Sequence, residues 1–187
     1  IPNILTLARI VLIPVFLLVA YWPPAVGIYG AEPNVTRHLI LTAIFVIAAV
    51  TDWFDGYLAR TLNQTSAFGR FLDPVADKLM VAAALIVLVQ WQPTISMAFA
   101  AIVIISREIT VSALREWMAE LGARTSVAVS TVGKYKTAFQ MIAISVFLLN
   151  WPPLEMLAYA LLYTAVILTL WSMFIYLKAA CPYLKQP

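Results

Sequence analysis

The chain has 187 residues, 63% hydrophobic and only 11% charged, with a formal net charge of +3 and a mean hydropathy of +0.91. Soluble domains carry about 25% charged residues, so a soluble globular enzyme is excluded, and disorder, which needs low hydrophobicity, is excluded with it. Six Gly and one Cys rule out collagen-like and disulfide-stapled chains, which leaves an all-α integral membrane protein.

A membrane-crossing helix takes about 20 mostly apolar residues, because each adds ~1.5 Å against a hydrocarbon core of ~30 Å. In chain order the apolar runs are Ile4–Tyr21, Leu39–Tyr57, Leu72–Gln90, Thr94–Met118, Val132–Leu149 and Leu154–Leu177, six predicted transmembrane helices. Trp22-Pro23-Pro24, Thr61–Ser66, Trp91-Gln92-Pro93, Gly122–Ser130 and Trp151-Pro152-Pro153 separate them. Trp beside Pro is the composition of a helix end in the interfacial aromatic belt. The connections are short and no internal repeat is visible, so residues 1–187 read as a single membrane domain. Ile1-Pro2-Asn3 shows no basic stretch or small-residue cleavage pattern, and no cleavable signal peptide is expected. Cys181 has no second Cys with which to pair.

If both termini lie on one side, that side collects Arg9, Arg60, Arg70, Lys78, Arg107, Arg115, Arg124, Lys134, Lys136, Lys178 and Lys185, against Arg37 alone on the other. This excess predicts cytoplasmic N- and C-termini.

Charges inside spans are costly and mark function. Asp52 and Asp55 close the second span; Asp73 and Asp77 open the third. At 100° per residue, Asp52, Asp55, Gly56 and Ala59 share one helix stripe, and Asp73 and Asp77 stand at i and i+4. A short connection makes the two helices neighbours, so four carboxylates converge near the cytoplasmic interface. Such a group holds protons rather than charge unless a cation joins it. Oxygen ligands without paired His or Cys favour Mg²⁺, Mn²⁺ or Ca²⁺ over Zn²⁺. Gly56 and Gly69 leave room beside the carboxylates for a ligand. The competing reading makes these residues helix caps and ion-pair partners of Arg60, Arg70 and Lys78. Asp73, just before Pro74, suits an N-cap followed by Pro at the first helical position, but caps do not account for four carboxylates on two facing stripes.

The pattern Asp52-x2-Asp55-Gly56-x2-Ala59-Arg60-x8-Gly69-x3-Asp73-x3-Asp77 has eight fixed positions over 26 residues. It resembles, position for position, the signature of the CDP-alcohol phosphotransferases, membrane enzymes of phospholipid synthesis. Asn3-x2-Thr6-x2-Arg9 is similar to the segment before that family's first span. Arg107-Glu108-Ile109, the run from Ser112 to Gly122, Ser126–Ser130 and Gly133-Lys134-x-Lys136-Thr137 resemble the bacterial branch that makes phosphatidylglycerophosphate.

The resemblance implies transfer of the phosphatidyl group of CDP-diacylglycerol to sn-glycerol 3-phosphate, with release of CMP, at the bacterial cytoplasmic (inner) membrane. It implies that Asp52, Asp55, Asp73 and Asp77 hold one or two Mg²⁺ or Mn²⁺ ions on the pyrophosphate and that Asp77 is also the general base. Asn3, Thr6, Arg9, Gly56, Ala59, Arg60 and Gly69 would border CDP-diacylglycerol, Arg60 contacting the pyrophosphate bidentately. The acceptor carries its own phosphate and calls for a second cationic pocket. Arg107 is the first candidate, with Lys134 and Lys136 at the start of the fifth span, then Arg115 and Arg124. Positive-inside residues binding anionic lipid are the plainer reading of the same cations. Glu108 is expected to orient that wall rather than ligate metal. A homodimer is implied by the family, and Ala82-Ala83-Ala84 would permit close helix packing. His38, the only His, falls toward the opposite face and reads as a surface residue. The alternatives are a synthase of the same family with serine, inositol phosphate or phosphatidylglycerol as acceptor, and a cation-coupled transporter using its intramembrane carboxylates.

Overall fold

The structure, a computed structural model, describes residues 2–22, 33–62, 67–120 and 131–184, with side chains over 7–22, 35–52, 75–120, 133 and 135–181. Every regular element among them is helical: α1 (Pro2–Tyr21), α2 (Pro33–Leu62), α3 (Ala67–Trp91), α4 (Ile95–Glu120), α5 (Thr131–Leu149) and α6 (Glu155–Leu184), with a 3₁₀ turn over Pro152–Leu154. The breaks at Pro23-Pro24 and Gly122–Ser130, and most of the one at Thr61–Ser66, lie outside the described residues.

The helix ends have local causes. Pro2 and Pro33 open α1 and α2, where a missing N–H costs nothing. Thr94 starts α4: its hydroxyl accepts the Met97 N–H at 3.2 Å, and its carbonyl accepts the Ala98 N–H at 3.0 Å. Past α5, Asn150 takes a left-handed φ of 50°, a conformation Asn tolerates, and Trp151-Pro152-Pro153 then prevents the helix from resuming. Glu155 places a negative charge in the first turn of α6, where the helix dipole favours it.

The helices overrun the predicted spans at the signature. Helix α3 begins at Ala67, so Asp73 stands well inside it and is not the N-cap expected from Asp73-Pro74. Likewise Asp77 does not start a helix. Pro74 costs α3 one backbone bond, to the carbonyl one turn back, without ending the helix.

The chain divides into two compact units. The first comprises Ile1–Trp91 and Ile144–Glu155; there α1 packs on α2 and α3, and α2 on α3. Its core is Phe16, Leu41, Phe45, Met80, Leu85 and Leu88 with Ile144 and Leu148, and Ala48, Ala76 and Ala84 let the backbones close up. Ala83 and Ala84 are interior residues of this unit, and Ala82 beside them is partly exposed. His38 is half-buried, not a surface residue. Its Nδ1–H donates to the Leu148 carbonyl at 3.0 Å, its Nε2 accepts from the Asn150 amide at 3.3 Å, and its ring meets Trp91 edge-on at 4.8 Å. It thus ties the start of α2 to the ends of α3 and α5.

The second unit comprises Gln92–Ala143 and Met156–Pro187. Val111 and Met118 of α4 bury against Tyr176 and Ala180 of α6, with Leu114, Trp117 and Met173 at the margin. Outward, Ile95, Ile102, Ile109, Met156, Ile167 and Phe174 are more than half exposed. A surface this apolar requires lipid. Val35–Asp52, Ile95–Glu120 and Pro152–Cys181 are each long and apolar enough to cross a bilayer, and Leu7–Tyr21 and Tyr135–Leu149 are shorter apolar helices. The protein is a membrane-embedded helical bundle.

Candidate active site

In the first unit, α2 carries Asp52, Asp55, Gly56, Ala59 and Arg60, and α3 carries Gly69, Asp73 and Asp77. Because α2 packs on α3, the i, i+3 pair on one helix and the i, i+4 pair on the other belong to a single packed pair of helices. The side chains of Asp55, Arg60 and Asp73 lie outside the described residues. With half of the quartet undescribed, no group of three or more His, Cys, Asp or Glu gathers among the described residues.

Asp52 is 44% exposed, and its Oδ1 accepts a hydrogen bond from Arg9 Nη1 at 2.7 Å. Arg9 itself is sealed in, 1% exposed, and its burial is tolerable only because a carboxylate meets it. It therefore supplies a positive charge to Asp52 from the buried side, while Asp52 itself stays partly accessible. Asp77 is partly buried, one turn past Asp73 on α3. Asn3 and Thr6 sit on α1 above Arg9, with side chains outside the described residues. The donor chemistry fits a hard divalent cation: anionic oxygens, one already sharing its charge with Arg9, the other partly accessible.

In the second unit a cationic centre is built on three helices. Arg107 of α4 is buried; its Nη1 donates to Glu108 Oε1 at 3.2 Å and its Nη2 to Ser172 Oγ of α6 at 2.7 Å. Its guanidinium lies 5.5 Å from the centre of the Tyr176 ring, a cation–π placement that offsets part of the burial cost. Lys136 of α5, also buried, donates its ammonium to the same Glu108 oxygen. Ser112 fastens this stretch of α4 by donating to the Glu108 carbonyl at 2.6 Å. Two buried cations thus share one carboxylate, a local excess of positive charge suited to an anionic group.

The structure brings Arg107, Lys136 and Glu108 together and leaves Arg115 exposed on α4. Lys134 lies on α5 with its side chain outside the described residues, and Arg124 lies outside them altogether. Ser172 and Tyr176 join the site only through the fold. Their signal is a hydroxyl and a phenol at i and i+4, on one face of α6.

A helical membrane protein with a carboxylate signature on one helix pair and a buried cationic centre on three other helices has the make-up of an enzyme for phosphorylated lipid substrates. The sequence profile of the CDP-alcohol phosphatidyltransferases matches residues 1–171. The chain is 50% identical over 190 residues to a CDP-diacylglycerol–glycerol-3-phosphate 3-phosphatidyltransferase of Pectobacterium atrosepticum, covering 100% of this chain and 98% of the relative. It is 51% identical over 181 residues to the Haemophilus influenzae protein of that name (96% and 92% covered). With the one from Escherichia coli K12 it shares 49% over 183 residues (96% and 94% covered). The chain belongs to the CDP-alcohol phosphatidyltransferase family and is an enzyme of it. That membership removes the cation-coupled transporter from consideration.

Proposed function

We propose that this enzyme transfers the phosphatidyl group of CDP-diacylglycerol to sn-glycerol 3-phosphate, giving phosphatidylglycerophosphate and CMP. The full-length similarity to enzymes of that name supports the reaction. The observation that carries the acceptor is the buried Arg107–Glu108–Lys136 centre: its net positive charge suits an acceptor that brings its own phosphate better than serine, a zwitterion of no net charge, with inositol phosphate as the alternative of the same chemistry. Arg107 and Lys136 with Lys134 bind the acceptor phosphate, Arg115 and Arg124 are secondary contributors to that binding, and Glu108 holds the two buried cations in place.

The acceptor oxygen attacks the phosphorus that carries diacylglycerol, Asp77 takes the hydroxyl proton, and the bond to CMP breaks. His38 is committed to Leu148 and Asn150, so a carboxylate is the candidate base, and Asp77, the last of the signature, is assigned that role. Divalent-metal dependence is general in the family; here Asp52, Asp55, Asp73 and Asp77 would hold Mg²⁺ or Mn²⁺. When bound, such an ion neutralises charge on the pyrophosphate as the bond to CMP breaks. Arg9 acts through Asp52, while Asn3, Thr6, Gly56, Ala59, Arg60 and Gly69 border the nucleotide. Residues 1–187 form one domain of six spans, with termini and active site on the cytoplasmic face of a bacterial membrane, assembled as a homodimer.

The test is CMP release from CDP-diacylglycerol by purified protein with Mg²⁺, comparing glycerol 3-phosphate, serine and inositol phosphate. Preference for glycerol 3-phosphate is expected. Preference for another acceptor overturns the assignment, and no CMP with any of them overturns the activity itself. Within that assay Arg107→Ala should raise the KM for the acceptor far more than that for CDP-diacylglycerol; equal effects would assign Arg107 a structural role.

A further inference from the structure

Among the described residues of the second unit, three buried side-chain atoms have no hydrogen-bond partner: Arg107 Nε, Gln140 Oε1 and Thr169 Oγ1. A buried polar atom left unpaired is costly, more so when charged, and each one calls for a physical explanation, a bound ligand among them. Thr169 is the telling one. Elsewhere Thr42, Thr51, Thr137 and Thr164 each return their hydroxyl to the carbonyl four residues back, the standard way to hide a hydroxyl in an apolar helix. Thr169 is fully buried and its hydroxyl makes no such bond. Gln140, 3% exposed, is likewise too polar to be filler in a membrane helix.

Their positions are related to the cationic centre by helix register. Gln140 lies four residues past Lys136 on the same face of α5, about 6 Å along the axis. Thr169 lies three residues before Ser172, the hydrogen-bond partner of Arg107, on the same face of α6, about 4.5 Å along. Consecutive spans run in opposite directions, so both steps lead to one layer, a single turn deeper than Arg107, Glu108, Lys136 and Ser172.

The free groups define what fits. Arg107 Nε–H donates only and takes an anionic oxygen; Gln140 Oε1 accepts only and takes an O–H; Thr169 does either. A phosphate with a hydroxyl two or three atoms away satisfies all three. We propose that Gln140 and Thr169 bind the non-reacting hydroxyl of the acceptor, so that the enzyme selects a hydroxylated alkyl phosphate over a bare one. This rests on the acceptor site proposed above and adds the group that reads the carbon skeleton beyond the phosphate.

The test compares glycerol 3-phosphate with 3-hydroxypropyl phosphate, which keeps the phosphate and the attacking hydroxyl and lacks only the central one. The unmodified enzyme is expected to favour glycerol 3-phosphate in kcat/KM by about tenfold, the value of one well-made buried hydrogen bond. Thr169→Val and Gln140→Met should each lower that ratio toward one while leaving kcat/KM for 3-hydroxypropyl phosphate near that of the parent. Thr169→Ser, which keeps the hydroxyl, should retain the preference. Equal kcat/KM for the two acceptors in the unmodified enzyme overturns the proposal without recourse to variants. So does a ratio unchanged in the variants, or an equal loss for both acceptors, either of which gives Gln140 and Thr169 a packing role. Should glycerol 3-phosphate support no CMP release at all, the acceptor site itself falls and this inference with it.

Discussion

Glu108→Gln keeps shape and removes one charge, the charge that lets Arg107 and Lys136 be buried side by side. One Glu108 oxygen stands 3.2 Å from Arg107 Nη1 and also receives Lys136 Nζ. For unit charges at that separation Coulomb's law gives ~5 kcal/mol at an effective dielectric constant of ~20, before desolvation is subtracted. Breaking a buried pair while its partners stay costs about 3–5 kcal/mol. The lower end applies here, because the Glu108 side chain keeps 20% of its surface exposed. A loss of about 3 kcal/mol corresponds to a fall in Tm of roughly 6–12 °C for a chain of this size. The assay is thermal unfolding in detergent, with and without inorganic phosphate. An anion binding the folded form at a hundred times its Kd adds about 2.7 kcal/mol. The phosphate-induced rise in Tm should be larger in the variant, where two buried cations lack their carboxylate, than in the parent. An unchanged Tm, or an equal phosphate shift in both proteins, would refute the reasoning.

Asp52→Asn leaves the buried Arg9 guanidinium facing a neutral amide and should cost about 1–2 kcal/mol. That is less than for a sealed pair, because Asp52 is 44% exposed; a Tm equal to that of the parent would count against the pairing. Asp77→Asn should keep CDP-diacylglycerol binding, measured by isothermal titration with Mg²⁺, while turnover falls about 10²–10⁴-fold. Near-normal turnover would remove its role as base. His38→Ala gives up two hydrogen bonds and the edge contact on Trp91, worth about 2 kcal/mol together. It should lower Tm while leaving both substrate KM values unchanged, and a change in either KM would connect His38 to the site.

Class and chemistry were legible along the chain because both are written in composition and in local spacing. Apolar runs of span length follow from the need to satisfy backbone groups without water. The Asp pairs at i, i+3 and i, i+4 follow from helix periodicity, which requires no tertiary information. The boundaries around the signature were not legible. Asp73-Pro74 has the local form of a helix start, yet α3 runs through it from Ala67, since in a bundle one lost backbone bond at Pro is tolerated. His38 departs from the surface position its sequence suggests for a related reason: its partners Trp91, Leu148 and Asn150 lie far away in sequence.

What the sequence by itself determined is that this is an all-helical membrane enzyme with a carboxylate signature, because hydropathy, charge placement and residue spacing are properties of the chain read in order. What only the tertiary structure decided is how each charge is compensated. Arg9 is spent on Asp52 across 43 residues, and Arg107 is divided between Glu108 beside it and Ser172 on another helix. Gln140 and Thr169 are left with buried polar atoms unpaired. Charges in an apolar medium must find partners wherever the fold brings them, and distance along the chain does not reveal which partner that is.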